Sequence, residues 1–122
     1  MAASTKPLAE RRVLLVEDDY FIVSDMARSF EADGAEVVGP AASVADALAL
    51  LAGTPHLDAA VLDINLRGEM VFPVAEALEA RGVPFVFATG YDRVAVPPRY
   101  AAVAHYEKPV EPAAIARALL GT

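Results

Sequence analysis

Hydrophobic positions along this chain follow two periods in turn. "RVLLVE" (Arg12 to Glu17) is a short apolar run ending in acid. From Tyr20 to Asp33 the apolar residues Phe21, Ile22, Met26 and Phe30 recur at helical spacing, and Gly34 supplies a stop. "AEVVGP" (Ala35 to Pro40) predicts a second strand closed by Gly39-Pro40. Ser43 then offers an N-cap, with Asp46 three residues on, for the helix "VADALALLA", which stops at Gly53. A third strand is predicted within His56 to Ile64, ending near Asp63. Pro73 stands where a helix could begin, because a first-turn proline forfeits no helical hydrogen bond. "VAEALEA" follows and Gly82 ends it. "VPFVFATG" (Val83 to Gly90) is the most apolar strand. Pro97-Pro98 makes any helix between Tyr91 and Tyr100 short or irregular. "VAHYE" predicts a last strand, and Pro112 opens a final helix that Gly121 closes.

Five strands thus alternate with about five helices, the last crossover weak. Near-continuous apolar strands suit a parallel sheet buried on both faces, and right-handed crossovers make it doubly wound. The order 2-1-3-4-5 is one of two common solutions, and it puts a site at the carboxyl ends of the strands. Residues 1–10 read as a flexible N-terminal tail and 11–122 as one domain.

Composition narrows the function classes. At 122 residues, 56% of them hydrophobic, the chain can fill one core. There is no cysteine, which excludes disulfides, thiolate metal sites and a catalytic thiol, and fits a cytoplasmic protein. The start "MAASTKPLAERR" lacks the apolar stretch of a secretory signal, and no run is long enough to span a bilayer. A net charge of -7 argues against sequence-independent binding to nucleic acid, and leaves a divalent metal or a cationic partner open.

If the sheet is parallel, its strand ends share one edge. There the chain sets Glu17, Asp18 and Asp19, then Asp63 with Asn65 two residues later, then Thr89-Gly90, then Lys108-Pro109. Carboxylates with a carbonyl suit a hard cation such as Mg²⁺. A lysine and a hydroxyl beside them suit phosphoryl oxygens. Lys108 stands out further, because the chain has eight arginines and two lysines, and the other, Lys6, lies in the tail. Each feature has a plainer reading: the three acids as a solvated turn or helix-start acids, Thr89 as a strand-end hydroxyl, His56 and His105 as ordinary strand or loop residues.

The motifs "LLVEDD", "VLDIN", "FATG" and "EKP", in this order, resemble the receiver domain of two-component response regulators, over roughly Arg12 to Gly121. The resemblance implies a flavodoxin-like three-layer αβα fold and Asp63 as phosphoacceptor. It implies Asp18 as a direct Mg²⁺ ligand, Glu17 acting through water, and the Asn65 backbone carbonyl completing the metal site. Asp19 falls one place later, as a loop acid. Thr89 matches the switching hydroxyl, Gly90 its open approach, and Lys108 the phosphoryl partner, with a cis peptide expected at Lys108-Pro109. The implied phosphodonor is a histidine kinase or histidine phosphotransfer protein; the phosphorylated chain is expected to bind a protein target, carry phosphate in a relay or drain it from a shared kinase, while its charge and hydropathy argue against nucleic acid and membrane. The chain ends one helix after Lys108, so the expectation is a stand-alone switch, a stoichiometric phosphoacceptor and not an enzyme.

Three places depart from the pattern. Leu66-Arg67 replaces the "MP" often found after the phosphoacceptor. His105 holds the usual aromatic-switch position, with Tyr106 on the opposite face. "FATGY" resembles a stand-alone receiver subgroup and makes Tyr91 another switch candidate. Two rivals remain open: a phospho-independent interaction module, and a Mg²⁺-dependent aspartyl-phosphate hydrolase. The hydrolase expects an acid two residues after the nucleophile, where this chain has Asn65.

Overall fold

The structure is a computed structural model that describes residues 8–89, 96–108 and 111–120, Thr89 by its backbone alone. In chain order the elements are β1 (Arg12–Val16), α1 (Tyr20–Ala32), β2 (Glu36–Ala41), α2 (Val44–Ala52), β3 (Ala59–Asp63), β4 (Asn65–Leu66), β5 (Glu69–Met70), α3 (Phe72–Ala80), β6 (Phe85–Thr89), a 3-10 turn at Pro98–Tyr100, β7 (His105–Glu107) and α4 (Pro112–Leu120). Five strands pair in parallel in the order β2-β1-β3-β6-β7, which is the expected 2-1-3-4-5 arrangement of the main strands.

The strands are apolar on both sides because both sides are covered. Successive residues of β1 divide between two cores: Leu14 and Val16 pack toward α2 and α3, while Val13 and Leu15 pack toward α1 and α4. β3 and β6 alternate in the same way, Leu62 and Phe87 on one face, Val61 and Val86 on the other. Pro40 is tolerated in β2 because this is an edge strand. The preceding Gly39 has φ +99°, and a Cβ there would meet Ala41 N at 2.9 Å and Leu15 O at 3.0 Å, so glycine is required. Among the described residues the cis peptide is Gly39-Pro40; the one expected at Lys108-Pro109 lies outside them.

Helix starts follow local chemistry. Ser43 caps α2 by accepting the Asp46 N–H at 3.1 Å. The other end of α2 is closed from a distance: Arg81, at the end of α3, donates to the carbonyls of Leu51, Thr54 and Pro55 at 2.6–3.0 Å.

Four details differ from the sequence reading. Leu8, assigned to the tail, is fully buried in the α1/α4 core, and its N–H donates to Asp33 O at 2.8 Å. In α1 the buried stripe is Val23, Met26 and Phe30, while Phe21 faces solvent at 81% exposure. At 3.6 residues per turn Phe21 falls on roughly the opposite side of the helix from Phe30, off a stripe spaced i, i+3, i+7. Of the expected five helices, four α-helices stand among the described residues; the weak crossover holds the 3-10 turn, whose Tyr100 is buried against Phe72, Phe85 and Phe87. The loop after Asp63 is a small antiparallel hairpin, β4–β5. No helix among the described residues is long and apolar enough to cross a membrane.

Candidate functional site

The carboxyl edge of the sheet gathers residues far apart in sequence. β1 delivers Glu17 and Asp18, β3 ends at Asp63, and Lys108 follows β7. Lys108 Nζ lies 2.7 Å from Glu17 Oε1 and 3.1 Å from Asp63 Oδ2. Glu17 and Asp63 are buried, unlike every other acid among the described residues. Both therefore depend on fixed partners. Glu17 Oε2 accepts the Asp19 N–H at 3.0 Å, and Asp63 Oδ1 accepts the Asn65 N–H at 3.3 Å.

The three acids of the "EDD" run have separated. Glu17 points inward to Lys108. Asp18 is half-open and meets the guanidinium of Arg67, with Nε 3.3 Å from Oδ2. Asp19 caps α1, its Oδ1 accepting the N–H groups of Phe21 and Ile22 at 3.0 and 3.1 Å. It is thus a structural residue of the helix start, a role that the motif reading did not assign.

The electrostatics are unbalanced. Burial and the neighbouring Glu17 charge raise the Asp63 carboxyl from 3.8 to about 7, against the opposing pull of Lys108. Burial alone would lower the Lys108 ammonium, but the Glu17 hydrogen bond and the charges of Asp63 and Glu17 outweigh it and hold it raised. One buried ammonium does not neutralise the acids around it. Glu17, Asp18 and Asp63 each offer a carboxylate oxygen, all within 4.8 Å of one another. Hard oxygen donors at that spacing, with negative charge in excess, fit a hard divalent cation.

Asn65 heads the β4–β5 hairpin. Val71 N–H donates to Ile64 O, so by antiparallel alternation Asn65 falls at a non-hydrogen-bonded pair and its carbonyl is not spent on the ladder. Its side-chain oxygen accepts the Gly68 N–H across the turn at 2.6 Å. Thr89 ends β6 in register with Glu107, one residue beyond the Ala88 that pairs with Asp63. Gly90 and Tyr91 lie outside the described residues. His105 is exposed at one face and stacks on buried Phe87, centroids 5.4 Å apart and planes at 21°. Tyr106 packs toward the other core, as strand alternation requires. The sequence reading missed Arg67 at this edge. Its signal was the departure at Leu66-Arg67.

Among solved structures, the solution structure of SdrG from Sphingomonas melonis Fr1 is 41% identical, covers 89% of this chain and 92% of its own, and has a TM-score of 0.78. The BeF3-activated conformation of SdrG from Pseudomonas melonis Fr1 is 40% identical over 91% of this chain and 94% of its own, with a TM-score of 0.72. A CheY-like response regulator receiver domain protein from Methanospirillum hungatei JF-1 is 27% identical, with 88% and 89% coverage and a TM-score of 0.74. No family model and no curated protein matches the chain.

Proposed function

This chain belongs to the response-regulator receiver family, and on that premise we propose that it is a phosphorylation-dependent switch with Asp63 as phosphoacceptor. The observation that carries the reading is Lys108, one ammonium within hydrogen-bonding distance of both Glu17 and Asp63 at the sheet's carboxyl edge. The SdrG relative has a BeF3-activated conformation, and beryllofluoride is a tetrahedral stand-in for a phosphoryl group.

In this reading an Asp63 oxygen attacks the phosphorus of a phosphohistidine on a kinase or phosphotransfer protein. The O–P bond forms as the P–N bond breaks, and the electron pair leaves with the imidazole. Lys108 meets the transferred oxygens and keeps the nucleophile in line. Asp18, Asp63 and the Asn65 carbonyl would hold Mg²⁺, with Glu17 acting through water. When bound, the cation supplies neutralising charge where two anionic groups meet. The Thr89 hydroxyl would then turn to a phosphoryl oxygen and bias the surface that a protein target reads, with His105 and Tyr91 as candidates for the coupled ring. Water later cleaves the acyl phosphate. Each cycle consumes one phosphoryl group per Asp63, so the protein acts stoichiometrically and not as a turnover enzyme.

Incubation with acetyl phosphate and Mg²⁺, followed by intact-mass measurement, tests this. One phosphoryl group is expected on the wild type, and none in EDTA or in Asp63→Asn. Continuous phosphoester turnover, or labelling that survives Asp63→Asn, would overturn the reading.

A further inference from the structure

The hairpin after Asp63 is built to hold a cation over the acidic edge. β4 and β5 are joined by a two-residue turn, Arg67-Gly68, with φ values of +55° and +93°. Such turns favour Asn-Gly, because side chains rarely adopt positive φ. Gly68 satisfies that rule and has open space around it. Arg67 breaks it. Residues that violate local turn chemistry are found where another interaction is served.

The base of the hairpin is fixed on three sides. Ile64 and Leu66 are buried in the α2/α3 core. Glu69 Oε1 accepts the Val44 N–H at 3.0 Å, tying the hairpin to the start of α2. Asn65 Oδ1 clamps the turn through Gly68. A fixed base leaves the Arg67 side chain as the free arm, 82% exposed, and it reaches the 15%-exposed Asp18.

We infer that Arg67 is a tethered competitor for the metal site: its guanidinium occupies Asp18 while no divalent cation is bound, and loading the site displaces it. Arg67 is a positioning residue here, acting through Asp18. The inference rests on Asp18 being a metal ligand, as proposed above. Two cations cannot both be well served by one half-open carboxylate. The metal must therefore win Asp18 from an arm that is always charged and whose anchor does not move away. The device sets a threshold of divalent cation below which the edge stays in its ion-paired form.

The test uses Mg²⁺ alone, with no phosphodonor, and reads its dissociation constant by calorimetry for wild type, Arg67→Gln, Asp18→Asn and the double variant. Arg67→Gln keeps the three-carbon stem and a polar head at the Nε position and removes the charge. It is expected to bind Mg²⁺ about two- to fivefold more tightly at low salt, the range of an exposed ion pair. The gain should shrink as ionic strength rises and vanish in the Asp18→Asn background. In parallel, the Arg67 Nε–H resonance, assigned by its loss in Arg67→Gln, should move with the same midpoint as Mg²⁺ binding. Unchanged or weaker binding by Arg67→Gln, an equal gain in the Asp18→Asn background, or a stationary Nε–H signal at metal saturation overturns the competitor. No Mg²⁺ binding by wild type, or full binding by Asp18→Asn, overturns the metal reading itself, so the two failures are distinct.

Discussion

Replacing Asp63 with Asn should stabilise the metal-free protein, although Asp63 is the residue on which the proposed function depends. The folded state holds this carboxyl at about 7 against an ordinary 3.8, through burial and the charge of Glu17. The folded protein therefore binds the Asp63 proton more tightly than the unfolded chain does. Below about pH 4 both states hold the proton, and above about pH 7 neither does. Between those limits stability falls as pH rises. At about 1.4 kcal/mol per tenfold difference in affinity, the full linkage reaches about 4 kcal/mol. Asp18 and Lys108 beside it are partly exposed, and solvent screening brings the expected penalty to about 1–2 kcal/mol. Asp63→Asn removes the penalty and leaves Lys108 paired with Glu17. In EDTA, thermal unfolding should show Asp63→Asn melting roughly 4–8 °C above wild type at pH 8. The gap should close toward pH 4. The Lys108 ammonium, whose pKa is also raised, stays charged throughout this range and adds no slope. Saturating Mg²⁺ should stabilise wild type, through its affinity for the folded state, more than the variant. An Asp63→Asn protein less stable than wild type in EDTA at pH 8, or a gap that does not change between pH 4 and 8, would refute the reasoning.

Three further substitutions probe the frame that holds the site. Asp19→Ala removes the cap of α1 and should cost about 1 kcal/mol in urea unfolding while leaving Mg²⁺ affinity within about twofold; a large affinity loss would make Asp19 a ligand. Arg81→Ala removes one donor from each of three carbonyls at and just beyond the end of α2 and should cost about 1–2 kcal/mol of stability, read as a lower urea midpoint with unchanged slope. Phe87→Ala empties the centre of a ring cluster that includes Phe72, Phe85, Tyr100 and His105; a loss of about 3–5 kcal/mol is expected, and one below 1 kcal/mol would mean that the cluster is not tightly packed.

The parts of this molecule that were legible in the sequence are those written locally. Apolar runs covered on both faces mark β1, β3 and β6, and Ser43 marks the start of α2 by its own side chain. The meeting of Asp63 with Lys108 was legible at one remove, because a parallel sheet brings every strand end to the same edge. What escaped the sequence was non-local or contrary to local preference. Leu8 is a lone apolar residue in a polar stretch, with no period to signal its burial. Arg81 caps a helix about thirty residues earlier, a contact that only tertiary packing creates. The β4–β5 turn carries arginine where Asn or Gly is the usual sign, so nothing local marks the hairpin. Phe21 is apolar within a helical run, but its offset from Val23, Met26 and Phe30 puts it off the buried stripe.

Peptide mapping of the acyl phosphate tests the central claim most directly. Wild-type protein treated with a phosphohistidine donor and Mg²⁺ is digested at acid pH, and the phosphoryl group is located by mass spectrometry. The account predicts one group per chain, labile to hydroxylamine, in the peptide that contains Asp63 and on no other carboxylate. A hydroxylamine-stable phosphate, or an acyl phosphate on Glu17 or Asp18 with Asp63 unmodified, would contradict it.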